Sequence, residues 1–257
     1  MMPAGAPTGT VHLAQITDCH LMACAEATVS GVNVLHTLQQ VIQTVVEQPE
    51  PLDLMVLTGD LTHHGEEAAY RLLLDQFASV SIPYYWLPGN HDQNAAMLRA
   101  GPEEYLRTKQ ILLPHWQVLL VDSHVDGEVG GLVSQSELTW LATALREYPT
   151  LFAAVFVHHH LLPVGSKWLD AQRIANAEQL LALFDNTPQL RLVCNGHVHQ
   201  EWSQQRAQYW LLSSPSTCVQ FRRNSDSFAL EDSLPGYRRL TLYADGRFDT
   251  HIVRVKR

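Results

Sequence analysis

Five times along the chain a short apolar run breaks off, and residues able to hold a metal ion follow at once. They are Thr17-Asp18-Cys19-His20 after VHLAQI, Thr58-Gly59-Asp60 after LMVL, and Pro88-Gly89-Asn90-His91-Asp92 after YYWL. Two more follow: His158-His159-His160 after AAVFV, and Asn195-Gly196-His197-Val198-His199 after LRLVC. Runs this short, rich in branched and aromatic residues, read as buried strands. Strand ends are where open α/β sheets hold their ligands. If several of these ends are neighbours in one sheet, their side chains converge on one point.

The rest of the chain supplies such a sheet. Strands are expected at Val11–Thr17, Leu54–Thr58, Tyr84–Leu87, Val118–Val121, Ala153–Val157, Arg191–Cys194 and Tyr209–Ser213. The clearest helix spans Val34–Glu47, where Val34, Leu35, Leu38, Val41, Ile42, Val45 and Val46 keep the 3.6-residue period until Pro49. Further helices are expected at Glu66–Val80, Ser136–Glu147 (capped by Ser134 or Ser136) and Asn176–Phe184. Strands alternating with helices indicate an α/β layered fold. The last strands, Tyr237–Tyr243 and Phe248–Val255, lack a helix between them and meet at Ala244-Asp245-Gly246-Arg247. Asp-Gly between strand-like runs signals a hairpin, so the sheets should be mixed. No Pro/Gly/Ser-rich break divides the chain, so one domain over residues 1–257 is expected, with residues 1–10 flexible.

The residue types in the five segments suit a dinuclear metal site. Asp18 and His20 stand two apart, so on an extended strand they project to one side while Cys19 projects away; His197 and His199 do the same. Asp60 has two carboxylate oxygens and can bridge two ions. Asn90 offers an amide oxygen and His158 a further nitrogen. Imidazole, carboxylate and amide oxygen together suit Mn, Fe, Zn or Co better than Ca or Mg. Gly59, Gly89 and Gly196 each precede a candidate ligand, where a side chain would obstruct a sharp turn.

Each segment alone has a plainer reading. An Asp-x-His pair is usually a strand-end cap beside a surface histidine, Gly-Asp is mostly a turn, and Asn and Asp are ordinary turn residues. The set of five, each behind a strand and together filling two metal shells, is not ordinary. His12, His36, His63, His64, His115, His124 and His251 fall in no motif and read as solvated or structural. His63 and His64 follow the Asp60 turn closely enough to line the mouth of a site.

Composition narrows the partners. The chain has 257 residues, a formal net charge of −9 and 14 histidines. So acidic a chain does not suit a nucleic-acid backbone, which needs a basic surface. An apolar fraction of 46% argues against disorder. No apolar stretch is long enough to span a membrane. The start, MMPAGAPTGT, shows neither the basic nor the apolar region of a secretory signal, so a cytoplasmic location is expected. Cys19, Cys24, Cys194 and Cys218 form no CxxC pair, which fits reduced thiols. Neither GxGxxG nor GxxxxGK[ST] occurs, so nothing supports a Rossmann or P-loop nucleotide site.

The ordered set D-x-H, G-D, G-N-H-D, H, G-H-x-H resembles the signature of the calcineurin-like metallophosphoesterases. QITDCHL, TGDLT, WLPGNHD, HHHLLPVGSKWLD, GHVHQE, PSTCVQF and LPGYRRLTLYADG extend the likeness over about residues 11–255, towards the bacterial 3′,5′-cyclic AMP phosphodiesterases, a class III type. The resemblance implies a four-layer α/β/β/α sandwich of mixed sheets with metals at the strand ends. Asp18, His20, Asp60 and His199 would hold one metal, and Asp60, Asn90, His158 and His197 the other, with His159 the competitor of His158. Iron and manganese are the metals expected first, zinc or cobalt next, as divalent or mixed-valence ions. His20, Asp60, Asn90, His91 and His199 would meet the substrate.

The expected reaction is attack of a metal-held hydroxide on cyclic AMP, opening the ring to 5′-AMP. His91 would serve as the catalytic acid, and Asp92 is expected to orient it or only to shape the loop. Other phosphodiesters, 2′,3′-cyclic nucleotides or pyrophosphates are alternative substrates; a non-catalytic scaffold is the alternative outside enzymes. The base is expected to meet Gly31-Val32-Asn33 or Pro215–Phe221. The assembly is expected to be a monomer or homodimer, with no nucleic acid or membrane as partner.

Overall fold

A computed structural model describes residues 9–256. The flexibility expected for residues 1–10 concerns, as far as residue 8, positions outside the described residues. In chain order the elements are β1 (Val11–Ile16), β2 (Thr28–Val29), β3 (Val32–Asn33), α1 (Val34–Val46), β4 (Leu54–Thr58), α2 (Glu67–Phe77) and β5 (Tyr84–Leu87). Then come α3 (Asn94–Ala100), α4 (Glu103–Arg107), β6 (Gln110–Leu113), β7 (Trp116–Val121), α5 (Gln135–Glu147), β8 (Phe152–Val157), α6 (Lys167–Asp170) and α7 (Ala177–Asp185). The chain closes with β9 (Leu190–Asn195), β10 (Trp202–Arg206), β11 (Tyr209–Ser213), β12 (Gln220–Phe221), β13 (Leu230–Glu231), β14 (Gly236–Leu242) and β15 (Phe248–Arg254).

Two large mixed sheets form the centre, in the orders β15-β14-β1-β4-β5 and β10-β11-β9-β8-β7-β6. Strand alternation decides which side chain faces which layer. In β1, Val11 and Leu13 point between the sheets, where they meet Phe156, Leu192 and Leu240, while Ala14 and Ile16 point outward to α1 and α2. In β8, Ala154 and Phe156 point between the sheets, and Ala153, Val155 and Val157 point outward to α5 and α7. The order of layers is therefore α/β/β/α, as expected.

β1, β4 and β5 are parallel, as are β7, β8, β9 and β11. The carboxyl ends within each sheet thus share an edge, and the two edges meet. Across that seam the His197 amide donates to the Asp18 carboxylate at 3.1 Å, and His158 Nδ1 donates to the Thr58 carbonyl at 2.8 Å.

Local chemistry explains the element ends. Asn33 caps α1 by accepting from the His36 amide at 2.8 Å, and Ser134 caps α5 by accepting from Glu137 at 3.1 Å. The β14–β15 hairpin turns through Ala244, Asp245 and Gly246, with Gly246 at φ 84° in the left-handed region. Nine of these elements were not foreseen: the short strands β2, β3, β12 and β13, with β6, β10, α3, α4 and α6. β10, WSQQR, is a sheet edge with mostly exposed polar residues, so no apolar rhythm marks it.

Phe156 is fully buried between the two sheets. Phe156→Ala should cost about 3–5 kcal/mol, because the rigid surrounding strands cannot close the cavity. Equilibrium urea unfolding tests this, through a lowered midpoint with little change in slope.

Candidate metal centre

The candidate ligands lie just beyond the strand ends, on backbone that is not extended. Asp18, His20, Asp60, His197 and His199 have φ of 53°, 48°, 49°, 64° and 48°. This is the left-handed region, which Asp, Asn and His tolerate better than other non-glycine residues. The expectation that Asp18 and His20 project together from an extended strand is therefore right in outcome and wrong in cause. Cys19 and Val198 do turn away, into separate apolar clusters, but left-handed turns direct the pairs. The turns are held by ladder-like bonds, His20 N–H to Asp60 O at 2.9 Å and Leu21 N–H to Leu61 O at 3.0 Å.

Six side chains gather around Asp60. Its Oδ1 lies 3.4 Å from His158 Nε2, and its Oδ2 lies 3.7 Å from His20 Nε2. On the first side, Asn90 Oδ1 lies 3.2 Å from His158 Nε2 and 3.0 Å from His197 Nδ1. On the second, His199 Nε2 lies 3.2 Å from both Asp18 Oδ1 and His20 Nε2. Two sets of donor atoms thus share one carboxylate. All seven candidate ligands, Asp18, His20, Asp60, Asn90, His158, His197 and His199, are brought together here.

The hydrogen bonds behind the rings determine what those rings present. His158 Nδ1 donates to the Thr58 carbonyl at 2.8 Å, and His199 Nδ1 donates to the Val219 carbonyl at 2.7 Å. A carbonyl only accepts, so in each neutral ring Nε2 carries a lone pair. His20 Nδ1 meets His63 Nδ1 at 3.2 Å. In their neutral forms the His158 and His199 rings therefore turn nitrogen lone pairs towards carboxylate and amide oxygens at 3.2–3.4 Å. Such an arrangement is repulsive until a cation or proton enters. Metal–ligand bonds of about 2.1 Å put neighbouring ligand atoms roughly 3.0–3.4 Å apart, so the donor set fits metal ions.

His159 is committed elsewhere. Its Nδ1 lies 2.8 Å from Ser123 Oγ and its Nε2 donates to the Val129 carbonyl at 3.1 Å. Proximity groups it with His158 and His197, but neither of its nitrogens is free. His160 is buried, with neither ring nitrogen hydrogen-bonded among the described residues.

Asp92 does not orient His91, contrary to expectation. It does not reach the His91 ring, whose Nδ1 donates instead to the His63 carbonyl at 2.8 Å. The fully buried Asp92 carboxylate accepts from the backbone of Leu61 (3.1 Å), Thr62 (3.2 Å) and Gly89 (2.9 Å) and from Tyr70 Oη (2.8 Å). It ties the β4 and β5 loops together. Gly89 itself packs so close to Asp60 and His158 that any Cβ there would collide with both.

His91 donates its amide to Asp60 Oδ1 at 2.9 Å and faces an open cavity of about 460 Å³. That volume lies within the roughly 300–1,000 Å³ of small-molecule sites. His20, Asp60, Asn90, His197 and His199 form its floor. His63 also lines it, stacked on His91 at 5.1 Å, and its place just after the Asp60 turn was the only signal of this. Of the two segments expected near a base, only Val219 and Phe221 reach the cavity. Asn33 is spent on the α1 cap and the Ala25 carbonyl. Trp168, Gln172 and Phe228 line it without having been foreseen.

Comparison with known proteins agrees with this geometry. The sequence profile described as calcineurin-like phosphoesterase matches residues 11–201. A 3′,5′-cyclic-nucleotide phosphodiesterase of Nostoc sp. is 39% identical over 95% of this chain and 92% of its own length. The 3′,5′-cyclic adenosine monophosphate phosphodiesterase CpdA of Pseudomonas aeruginosa is 37% identical over 97% of this chain and 92% of its own. The Escherichia coli K12 protein of the same name is 37% identical over 95% and 90%. In fold, the chain is similar to a dimetal phosphatase from Danio rerio, with a TM-score of 0.69 at 13% identity, covering 96% of this chain and 99% of that one.

The metal-free protein should be most stable near neutral pH. Burial holds His20, His159 and His197 neutral well below the ordinary imidazole value of 6.5, and His160 down to about 3. Unfolding frees them, so below pH 6.5 the unfolded chain binds more protons and stability falls with acid. His158 acts oppositely: burial disfavours its charge, but the Asp60 carboxylate outweighs this and raises it to about 9. Its contribution is complete below 6.5 and is lost as pH rises through about 9. Urea midpoints of chelator-treated protein test this; a midpoint that climbs from pH 6.5 to 5 contradicts it.

Proposed function

The chain belongs to the calcineurin-like phosphoesterase family, and from that premise we propose that it hydrolyses 3′,5′-cyclic AMP to 5′-AMP at a dinuclear metal centre. The family uses a dinuclear centre, and the observation that carries the reading is the pair of donor sets sharing Asp60. The near full-length likeness to cyclic-nucleotide phosphodiesterases supports the substrate.

In the proposed arrangement Asp18, His20, Asp60 and His199 hold one cation, and Asp60, Asn90, His158 and His197 the other. Iron and manganese fit the mixed nitrogen and oxygen donors best, with zinc or cobalt next. When bound, the two cations supply a nucleophilic oxygen at neutral pH and draw charge from the phosphoryl oxygens.

The chain's own residues do the rest. Asn90 Nδ2 donates to a phosphoryl oxygen and orients the phosphodiester over the floor of the cavity. The attacking oxygen forms a bond to phosphorus, and the bond from phosphorus to O3′ breaks, its electron pair leaving with O3′. As the imidazolium, His91 delivers a proton to that oxygen from Nε2, while its Nδ1–H stays held by the His63 carbonyl. His63 supports the ring as a stacked neighbour, and Asp92 keeps the loops in register. None of the four cysteines forms a disulfide among the described residues, which suits the reducing cytoplasm as the compartment. No helix among the described residues is long and apolar enough to cross a membrane.

Purified protein supplied with Mn²⁺ should convert cyclic AMP to 5′-AMP, read by chromatography of the products. No conversion with any divalent metal, alongside cleavage of another phosphodiester, defeats the substrate assignment. His91→Ala should lower kcat about 10²–10⁴-fold while retaining bound metal. An unchanged rate removes the proton-donor role.

A further inference from the structure

The cavity over the metal centre has two unlike walls. Beyond the polar floor stands an aromatic group drawn from two segments: Trp168 in α6, and Phe221 at the end of β12 with Phe228 in the loop beyond it. Phe221 is occupied in the site itself, stacked on the His199 ring at 3.9 Å and 10°. Trp168 stands edge-on to Phe221 at 5.0 Å and to Phe228 at 5.4 Å. Phe228 keeps 59% of its surface exposed. Single exposed apolar residues are ordinary on a protein surface, but this one lines the cavity and packs on its aromatic neighbours.

The wall is preformed. Lys167 pairs with Asp226 at 2.8 Å, and the Ser225 amide donates to Ser166 Oγ at 3.3 Å, so the segments carrying Trp168 and Phe228 are fastened together. Beside them Gln172 lines the same cavity, and its side-chain amide makes no hydrogen bond among the described residues. An apolar planar surface and a free amide, next to a site for a phosphodiester, match a flat heterocycle with paired donor and acceptor atoms. Purine bases stack on aromatic faces, and a glutamine amide can pair with the adjacent N6–H and N7 of adenine.

We infer that Trp168 and Phe228 seat the nucleobase of the substrate and that the Gln172 amide selects adenine. The inference rests on the cyclic-nucleotide reading for its substrate, but the base seat can be measured without turnover. In the metal-loaded protein AMP should bind about tenfold or more tightly than ribose 5-phosphate, the difference being the base. Phe228→Ala should remove that difference, and Phe228→Tyr, which keeps a stacking ring, should restore it. In hydrolysis, Phe228→Ala should act on KM for cyclic AMP rather than on kcat. Gln172→Ala should reduce the preference for cyclic AMP over cyclic GMP, in kcat/KM, by about tenfold.

Equal binding of AMP and ribose 5-phosphate by the wild-type protein overturns the base seat, even if cyclic AMP is hydrolysed. An unchanged preference in Gln172→Ala overturns the selecting role. A Phe228-dependent advantage of AMP in a protein that does not hydrolyse cyclic AMP supports the seat and retires the reaction instead.

Discussion

One carboxylate organises this molecule's chemistry. Asp60 is buried at the junction of two sheets, and each of its oxygens faces a different set of candidate ligands. Burial opposes its charge, yet the neighbouring His158 outweighs that and holds it well below the ordinary carboxylate range. The metal-free site is thus an anion sharing a proton with His158, ringed by neutral imidazoles. A site so rich in inward lone pairs is poised to exchange protons for cations.

The fold keeps this arrangement from relaxing. Parallel strands in both sheets deliver their carboxyl ends to one seam, and left-handed turns then aim the side chains. Each such turn costs roughly 1 kcal/mol or more on non-glycine residues, so it must be held by its surroundings. Asp92 is the chief restraint, binding backbone amides of both the Asp60 loop and the Asn90 loop. Between the two sheets, Asp18 accepts from the His197 amide at 3.1 Å. This bond joins two ligand-bearing loops whose residues lie far apart in the chain. The ligands therefore form a cross-braced set, and a change in one loop is transmitted to the next.

Much of this was readable in the chain. The five strand-end segments named the cluster, because apolar runs mark the strands and polar residues mark where they stop. The alternation in β8 even separates two adjacent histidines. Ala154 and Phe156 face between the sheets, and His158 continues that row; Val155 and Val157 face the helices, and His159 continues theirs. What stayed hidden depends on contacts distant in sequence. Nothing in Gly-Asn-His-Asp says that Asp92 turns away from His91 to bind Leu61 and Tyr70. The aromatic wall escaped for the same reason: Trp168 in α6 and Phe228 after β12 lie far apart in the chain and meet only through packing.

A shared carboxylate makes the two proposed metal positions interdependent rather than two separate sites. Elemental analysis of purified, refoldable protein distinguishes these directly, with circular dichroism checking that each variant is folded. Wild-type protein should carry two metal equivalents, Asp18→Ala should keep one, and Asp60→Ala should lose both. An Asp60→Ala protein that still binds two equivalents would contradict the central claim.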